Sequence, residues 1–352
     1  MRIAQVAPLS ESVPPRLYGG TERVVAYLSD ELVDMGHDVT LFASGDSQTR
    51  AQLSSEWPTA LRLGGNCQDA VAPHLLMLEH VMQCAEQFDV IHFHVAEIHF
   101  PLARRLSVPH VTTLHGRLDI PELVPFYGEF SDVPVVSISA AQRTPLPHAG
   151  WAATVYHGLP ADLLSFHPAP GRYLAFVGRI SPEKRVDRAI AIALACRQPL
   201  RIAAKVDPAD EAYFERDIRS LLDHPLIEYV GEIGEQDKDE FLGNASALLF
   251  PIDWPEPFGL VMIEALACGV PVVALRRGSV PEVIEHGATG FVVDTVDEAI
   301  DATRRVAQLD RRQCRAAFER RFTARRMAEE YVGLYRRLIT RASGQTGIAG
   351  SG

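Results

Sequence analysis

Short apolar runs rich in β-branched residues alternate along this chain with stretches whose apolar positions recur every three or four residues. The first half offers strands at Ile3–Ala7, Val39–Ala43, Val90–His94, Val111–Leu114, Val135–Ile138 and Thr154–Tyr156. The second half offers Tyr173–Val177, Arg201–Ala204, Ile227–Val230, Ala247–Phe250, Val272–Ala274 and Phe291–Val293. The helix after the first strand is explicit: Val24, Val25, Leu28 and Leu32 share a face, and Gly36 caps its end. Strands alternating with helices predict parallel sheets covered on both faces. Two six-strand sets predict an α/β chain of two Rossmann-like domains; an eight-stranded barrel is the alternative.

Prolines and glycine interrupt the pattern across Gly158-Leu-Pro-Ala-Asp-Leu-Leu-Ser-Phe-His-Pro168. The expected domains are therefore residues 1–160 and 168–320, with a linker between them. A last helical stretch covers 321–341. The small, glycine-rich end at 343–352 reads as a disordered tail.

Composition narrows the class. The 352 residues suffice for two cores, and 47% hydrophobic with 22% charged residues is ordinary for a globular protein. A net charge of −11 argues against general nucleic-acid binding. No apolar run has membrane-spanning length, and Met1-Arg-Ile-Ala-Gln-Val reads as a buried strand rather than a signal peptide. Cys67, Cys84, Cys196, Cys268 and Cys314 show no zinc or redox spacing, so reduced thiols in the cytoplasm are expected. Ten arginines fall between Arg311 and Arg341, interspersed with Glu319, Glu329 and Glu330. A salt-bridged helix surface is the plain reading; peripheral contact with anionic lipid at the inner membrane face is the alternative.

The densest chemistry lies in Glu256-Pro-Phe-Gly-Leu-Val-Met-Ile-Glu264. An apolar strand precedes it, and a helical pattern stopped by Gly269 and Pro271 follows. Glu256 should sit on a loop at a strand's carboxyl end and Glu264 inside the next helix. That helix start directs bare N–H groups and a positive dipole end outward, which suits a phosphate. Carboxylates beside it can accept hydrogen bonds from sugar hydroxyls. Together these features describe a nucleotide-sugar site. Arg179 and Lys184 bracket a second strand end, with Ser181 a natural N-cap and Pro182 a natural first helical residue. Two cations there can stabilise a departing diphosphate without a metal. Gly19 and Gly20 open the first long helix, but not as G-x-G-x-x-G, which argues against a dinucleotide dehydrogenase. His92 and His94 share a strand face without a ligand-spaced partner, so no metal site is expected. Asp237-Lys-Asp239 mimics a D-x-D metal motif, yet its aspartates fit helix-start acids better.

The Glu256–Glu264 stretch resembles the E-x7-E signature of retaining glycosyltransferases of family four, which have the GT-B fold: two Rossmann-like domains with parallel sheets facing a central cleft. Gly178-Arg-Ile-Ser-Pro-Glu-Lys184 resembles that family's second signature, and Tyr18-Gly-Gly-Thr-Glu22 its glycine loop. The resemblance implies that the first domain takes the acceptor and the second the donor, a UDP-, GDP- or ADP-linked sugar, with no cofactor. It implies that the last helix crosses back to the first domain. It places Gly19 and Gly20 by the donor phosphates, Glu264 on the ribose and Glu256 on the transferred sugar. Backbone N–H groups of Phe258, Gly259 and Leu260 would meet phosphate or sugar oxygens, and the loop with Gly231 and Ile233 the nucleobase. His115 would stand near the sugar's hydroxymethyl group. His94 and Arg117 are acceptor-side candidates. Two features depart from the pattern: Pro251-Ile-Asp-Trp-Pro-Glu256 replaces a short polar link, and Lys205 stands where glycine is frequent.

The expected activity is transfer of a sugar to a hydroxyl acceptor (a saccharide, a lipid-linked acceptor or a small molecule) with retention and no metal. Alternatives of other classes are a GT-B sugar-nucleotide epimerase, which needs added acid/base groups, a phosphorylase, which needs a pyridoxal lysine, and a non-catalytic two-domain sugar-binding protein.

Overall fold

The alternating runs fold as two parallel sheets in a computed structural model that describes residues 1–17, 19–62 and 67–349. One unit comprises Met1–Gly158 and the helix from Ala324; the other comprises Leu159–Thr323.

The first sheet contains β1 (Arg2–Val6), β2 (Asp38–Phe42), β3 (Gln52–Ser54), β4 (Val90–Phe93), β5 (His110–Thr113), β6 (Val135–Ser137) and β7 (Trp151–Thr154). Their order is β3-β2-β1-β4-β5-β6-β7. The second contains β8 (Tyr173–Arg179), β9 (Leu200–Lys205), β10 (Ile227–Gly231), β11 (Ala245–Phe250), β12 (Val272–Leu275) and β13 (Gly290–Val293), in the order β10-β9-β8-β11-β12-β13. Strand order therefore reverses between β1 and β4 and between β8 and β11. Open α/β sheets bind ligands at the carboxyl ends of strands flanking such a reversal. In the second unit those ends carry Arg179 and the loop leading to Glu256.

Three elements differ from expectation. The edge strand β3 spans only Gln52–Ser54, too short for a periodic signal. Strand β7 lies three residues earlier than the apolar run Thr154–Tyr156, because its register is set by β6, with Val135 opposite Trp151 and Ser137 opposite Thr154. The last helix runs Ala324–Ala349, so the tail expected to be disordered from Ser343 is helical through Ala349, and 350–352 lie outside the described residues. Thr340 and Ser343 hydroxyls donate to the carbonyls of Arg336 and Ile339, which satisfies them on the helix. An established helix also extends at little cost per residue.

The Ala324–Ala349 helix packs against the Gly20–Asp34 helix and lies over one face of the first sheet. Alternation divides the central strands. Ala4, Val6, Ile91 and Phe93 join an apolar cluster on one face. Gln5, His92 and Thr113 carry polar side chains, all fully buried. Buried polar groups are tolerated when hydrogen-bonded, and here they bond one another and the helix. Gln5 Nε2 donates to the Tyr335 hydroxyl at 3.1 Å, and Gln5 Oε1 lies 2.9 Å from His94 Nε2. His92 Nδ1 lies 2.6 Å from the Tyr335 hydroxyl and its Nε2 2.7 Å from Thr113 Oγ1. Thr113 Oγ1 lies 2.7 Å from the Tyr331 hydroxyl.

Burial holds His92, His94, His99 and His157 well below the usual histidine range. The unfolded chain therefore binds more protons than the folded one below pH 6.5, and stability present above that pH is lost as pH falls. The loss at pH 5 should be about 2 kcal/mol for each ring kept neutral. Denaturant titrations at pH 7.5 and pH 5 should show a much lower midpoint at pH 5. Equal midpoints would mean that these rings are not buried neutral.

Candidate active site

Strand β8 ends at Arg179, and a turn over Ser181–Lys184 follows, closed by Lys184 N donating to Ser181 O at 3.1 Å. The expected helix start at Ser181-Pro182 is not formed; the helix begins at Val186. Arg185 interrupts it with a left-handed backbone, φ +55°. That conformation is costly for a non-glycine residue and marks a locally over-determined site. The guanidinium of Arg185 is held by Asp187 at 2.7 Å and Asp253 at 3.1 Å. Lys184, just before this break, ion-pairs with the Glu256 carboxylate. Its ammonium also lies 5.0 Å from the Trp254 ring centroid, a favourable cation–π position.

Glu256 lies on the loop after β11, buried, and its carboxylate also accepts from Trp254 Nε1 at 3.0 Å. Backbone bonds fix this loop. Ser279 N donates to Glu256 O at 2.9 Å, and Ser279 Oγ to Phe258 O at 2.8 Å. Gly278 crosses beneath with φ +51°; a Cβ there would stand 2.3 Å from Glu256 O, so only glycine fits. Gly259, φ +81°, then starts the Leu260–Ala267 helix. In its first turn Met262 N donates to Gly259 O at 3.0 Å, while the N–H groups ahead of it precede the intrahelical ladder. Glu264 lies within this helix, buried, and pairs with Lys238 at 2.6 Å.

Lys238 is the residue that sequence reasoning missed. It was visible only as the middle of a supposed metal motif. The flanking Asp239 accepts from Ser165 N at 2.6 Å and lies 3.3 Å from His167 Nε2, so it secures a neighbouring segment rather than acting only as a helix-start acid. Gly231 ends β10 at a register shift with φ +78°, and Ile233 follows in the loop before the Glu235–Gly243 helix.

Arg179 stands among three acids, Glu183 at 2.8 Å, Asp207 at 3.3 Å and Asp210 at 3.6 Å. Lys205, at the end of β9, shares Asp207 at 2.8 Å. Burial pushes the Asp207 carboxyl up, but Lys205 and Arg179 outweigh it and hold it low; burial leaves Asp210 raised. Lys205 thus adds a cation to this strand edge where glycine was expected.

In the first unit, Gly19 and Gly20 lie at the start of the Gly20–Asp34 helix, and Tyr18 lies outside the described residues. A Cβ on Gly19 would stand 2.7 Å from the Pro15 side chain. Arg23 Nη2 donates to Leu17 O at 2.7 Å and braces the loop. His115 follows β5. Its Nε2 lies 2.8 Å from His94 Nδ1, and its ring stacks on His157 at 5.2 Å. Its Nδ1 is out of solvent and has no hydrogen-bond partner among the described residues. Burial lowers its pKa to about 3. His94 does not line an open acceptor surface: it is buried, and both ring nitrogens are engaged by Gln5 and His115. Arg117 is exposed and doubly bonded to Asp119 at 2.8 Å.

The arginine-rich stretch is largely engaged. Arg311 donates to the carbonyls of Gly243, Ala245 and His167, and Arg315 to those of Ala161, Leu164 and Ala267. Arg320 and Arg321 pair with Glu285, Arg325 with Glu329 and Arg326 with Glu330. Among the described residues no helix is long and apolar enough to cross a membrane.

Two parallel-sheet α/β units, each with a reversal of strand order, are the architecture of the GT-B class of glycosyltransferase, and solved structures agree. A glycosyltransferase involved in avilamycin A biosynthesis superposes with a TM-score of 0.74 at 26% identity, over 97% of this chain and 98% of its own. Anabaena HepE, solved with UDP and glucose, gives 0.73 at 18% identity over 95% and 98%. Residues 18–210 match Glycosyltransferase Family 4, and residues 165–322 match Glycosyl transferases group 1. The chain belongs to glycosyltransferase family 4. The phosphatidyl-myo-inositol mannosyltransferase of Mycolicibacterium smegmatis is 26% identical over 92% of this chain and 89% of its own. A 65-residue stretch is 45% identical to the N-acetyl-alpha-D-glucosaminyl L-malate synthase of Bacillus anthracis, spanning 18% of this chain and 17% of that relative.

Glu22, in the first turn after the glycine loop, is buried near Glu11, which pairs with Arg62 at 3.5 Å. Burial, with a contribution from Glu11, raises its pKa from 4.5 to about 7. The folded protein thus binds more protons than the unfolded chain between those values. Stability is fully present below pH 4.5 and lost as pH rises through 7. Glu22→Gln should raise unfolding stability at pH 8 by about 3 kcal/mol relative to its effect at pH 4.5. A gain that does not change with pH would show that Glu22 is charged throughout.

Proposed function

We propose that this glycosyltransferase moves a hexose from a nucleoside-diphosphate donor to a hydroxyl acceptor, with retention and without a metal. The observation that carries this reading is the pair of buried glutamates, each matched to a lysine, on either side of the Leu260–Ala267 helix start. HepE's complexes with UDP and UDP-glucose, in a related fold, support the donor class. The mannosyltransferase relative supports hexose transfer.

A bound diphosphate competes with Glu256 for Lys184. Moving the ammonium to phosphate frees the Glu256 carboxylate for a hydroxyl of the transferred sugar. Arg179 and the helix start add positive charge where the leaving group develops its own. Attack then comes from the face that the diphosphate leaves, with Glu256 as a sugar contact rather than a covalent nucleophile. Glu264 takes the ribose hydroxyls, and Lys238 keeps its carboxylate paired when the site is empty. Gly20 backbone N–H and the His115 ring belong to the same reading. Among the described residues, exposed Arg312, Arg336, Arg337 and Arg341 are what remains of the arginine-rich stretch for contact with anionic lipid.

Glu264→Ala should weaken donor and sugar-free nucleoside diphosphate alike, by about 1.5–3 kcal/mol. Glu256→Ala should instead depress kcat far more than it weakens the sugar-free diphosphate. Calorimetric affinities beside turnover check both, and equal losses for the two variants would refute the division of roles.

Turnover should also survive exhaustive chelation, whereas Lys184→Ala or Arg179→Ala should lose roughly 10²–10³-fold in kcat. Activity abolished by chelator and restored by magnesium or manganese would overturn the metal-free reading.

A further inference from the structure

The first unit buries a chain of hydrogen bonds that runs from His115 to the last helix: His115, His94, Gln5, Tyr335, His92, Thr113 and Tyr331. Neutral imidazole carries one donor nitrogen and one acceptor nitrogen, so each bond fixes the sense of the next. Gln5 directs its amide nitrogen at the Tyr335 hydroxyl and its carbonyl oxygen at His94. A carbonyl oxygen only accepts, so His94 Nε2 carries the proton and donates to it. His94 Nδ1 is then an acceptor, and His115 Nε2 must donate to it across 2.8 Å. His115 Nδ1 is left as a bare lone pair. On the other side of Gln5, the Tyr335 hydroxyl accepts from the amide and donates to His92 Nδ1. His92 Nε2 donates to Thr113, and Thr113 to Tyr331. The whole chain runs in one sense with no two donors facing each other.

This order leaves one polar atom unsatisfied at the His115 end. His115 Nδ1 is out of solvent with no hydrogen-bond partner among the described residues. A buried acceptor without a partner is costly unless a ligand supplies a donor. A hydroxyl is such a donor; an anionic oxygen is not.

We propose that Gln5, His94 and Tyr335 are positioning residues that lock His115 in its Nε2–H tautomer, so that Nδ1 accepts a hydrogen bond from a substrate sugar hydroxyl. This rests on the glycosyltransferase reading for the identity of the hydroxyl, but the tautomer lock does not. The last helix takes part in the chemistry through Tyr335, a residue three hydrogen bonds removed from His115. The lock also rejects a protonated ring. An imidazolium would need two acceptors, and His94 Nδ1 is the only one provided among the described residues.

Nitrogen-15 NMR of the ring nitrogens in the full free chain, with His115 assigned by its loss in His115→Gln, tests the lock without any donor present. Wild type should show a protonated Nε2 and an unprotonated Nδ1 at His115. Tyr335→Phe deletes one hydroxyl at constant ring volume and releases Gln5 to invert. His115 should then populate both tautomers, and kcat should fall roughly tenfold with KM little changed. His94→Phe should lose roughly 10- to 100-fold in kcat, with an unfolding midpoint checked beside it. A protonated Nδ1 in wild type would reverse the chain and overturn the proposal. So would an unchanged single tautomer in Tyr335→Phe, or normal kcat in folded His94→Phe. If wild type turns over no nucleotide sugar, the functional reading fails and the NMR result alone decides the lock.

Discussion

A parallel sheet whose strand order reverses leaves two neighbouring carboxyl ends uncovered, because the crossovers from them lead away in opposite directions. Everything chemical in the second unit depends on that constraint. Strands β8 and β11 flank the reversal, so the loops after them, Arg179–Lys184 and Pro251–Gly259, meet at one edge. Backbone hydrogen bonds hold the edge together beside the buried Ile180, Ile252 and Phe258. Asp253 N donates to Glu183 O at 2.8 Å, and Ser279 N reaches Glu256 O, so one loop is stitched to the other and to the loop after β12. Arg185 in its left-handed conformation and Gly278 beneath Glu256 are the local costs of this stitching.

Once the loops are fixed, burial dictates the charges. A carboxylate taken out of water needs a partner. Glu256 has Lys184 and Glu264 has Lys238. Such pairs contribute little net stability, because desolvation offsets much of the attraction. Their value lies in exchange. In the proposed mechanism Lys184 moves to a donor phosphate and Glu256 then meets a sugar hydroxyl, so that neither charge is left alone in a low-dielectric site. Arg179 fits the same logic, resting against Glu183, Asp207 and Asp210.

Much of this was legible because it is local. The strand before Glu256, the glycine that starts the next helix and the Gly269 stop are all written within a few residues. They fixed where both glutamates lie. What escaped is non-local. Lys238 meets Glu264 across 26 residues, and nothing in Asp237-Lys-Asp239 points there. The left-handed turn at Arg185 overrode the cap chemistry of Ser181 and Pro182, because Asp187 and Asp253 hold its guanidinium in place. His94 looked like a lining residue because it ends a strand. Only the helix folded back over the sheet, bringing Tyr335 to Gln5 across 330 positions, turns it inward.

The two units also solve the problem of buried polarity in opposite ways. The second holds full charges in pairs, Lys184 with Glu256 and Lys238 with Glu264. The first keeps much of its buried polarity neutral: His37, His92, His94, His99, His110, His115 and His157 have their pKa values depressed, and Glu22, by the glycine loop, has its pKa raised. A neutral hydrogen-bonded network cannot attract a phosphate strongly, but it can discriminate donor from acceptor atoms on a ligand, since a misdirected proton leaves a buried group unpaired. On the proposed function, charge handling and hydroxyl reading are separated by the chemistry each sheet encloses. Family membership supplies the reaction class, while the direction of protons along β1, β4 and the last helix belongs to this chain's own residues.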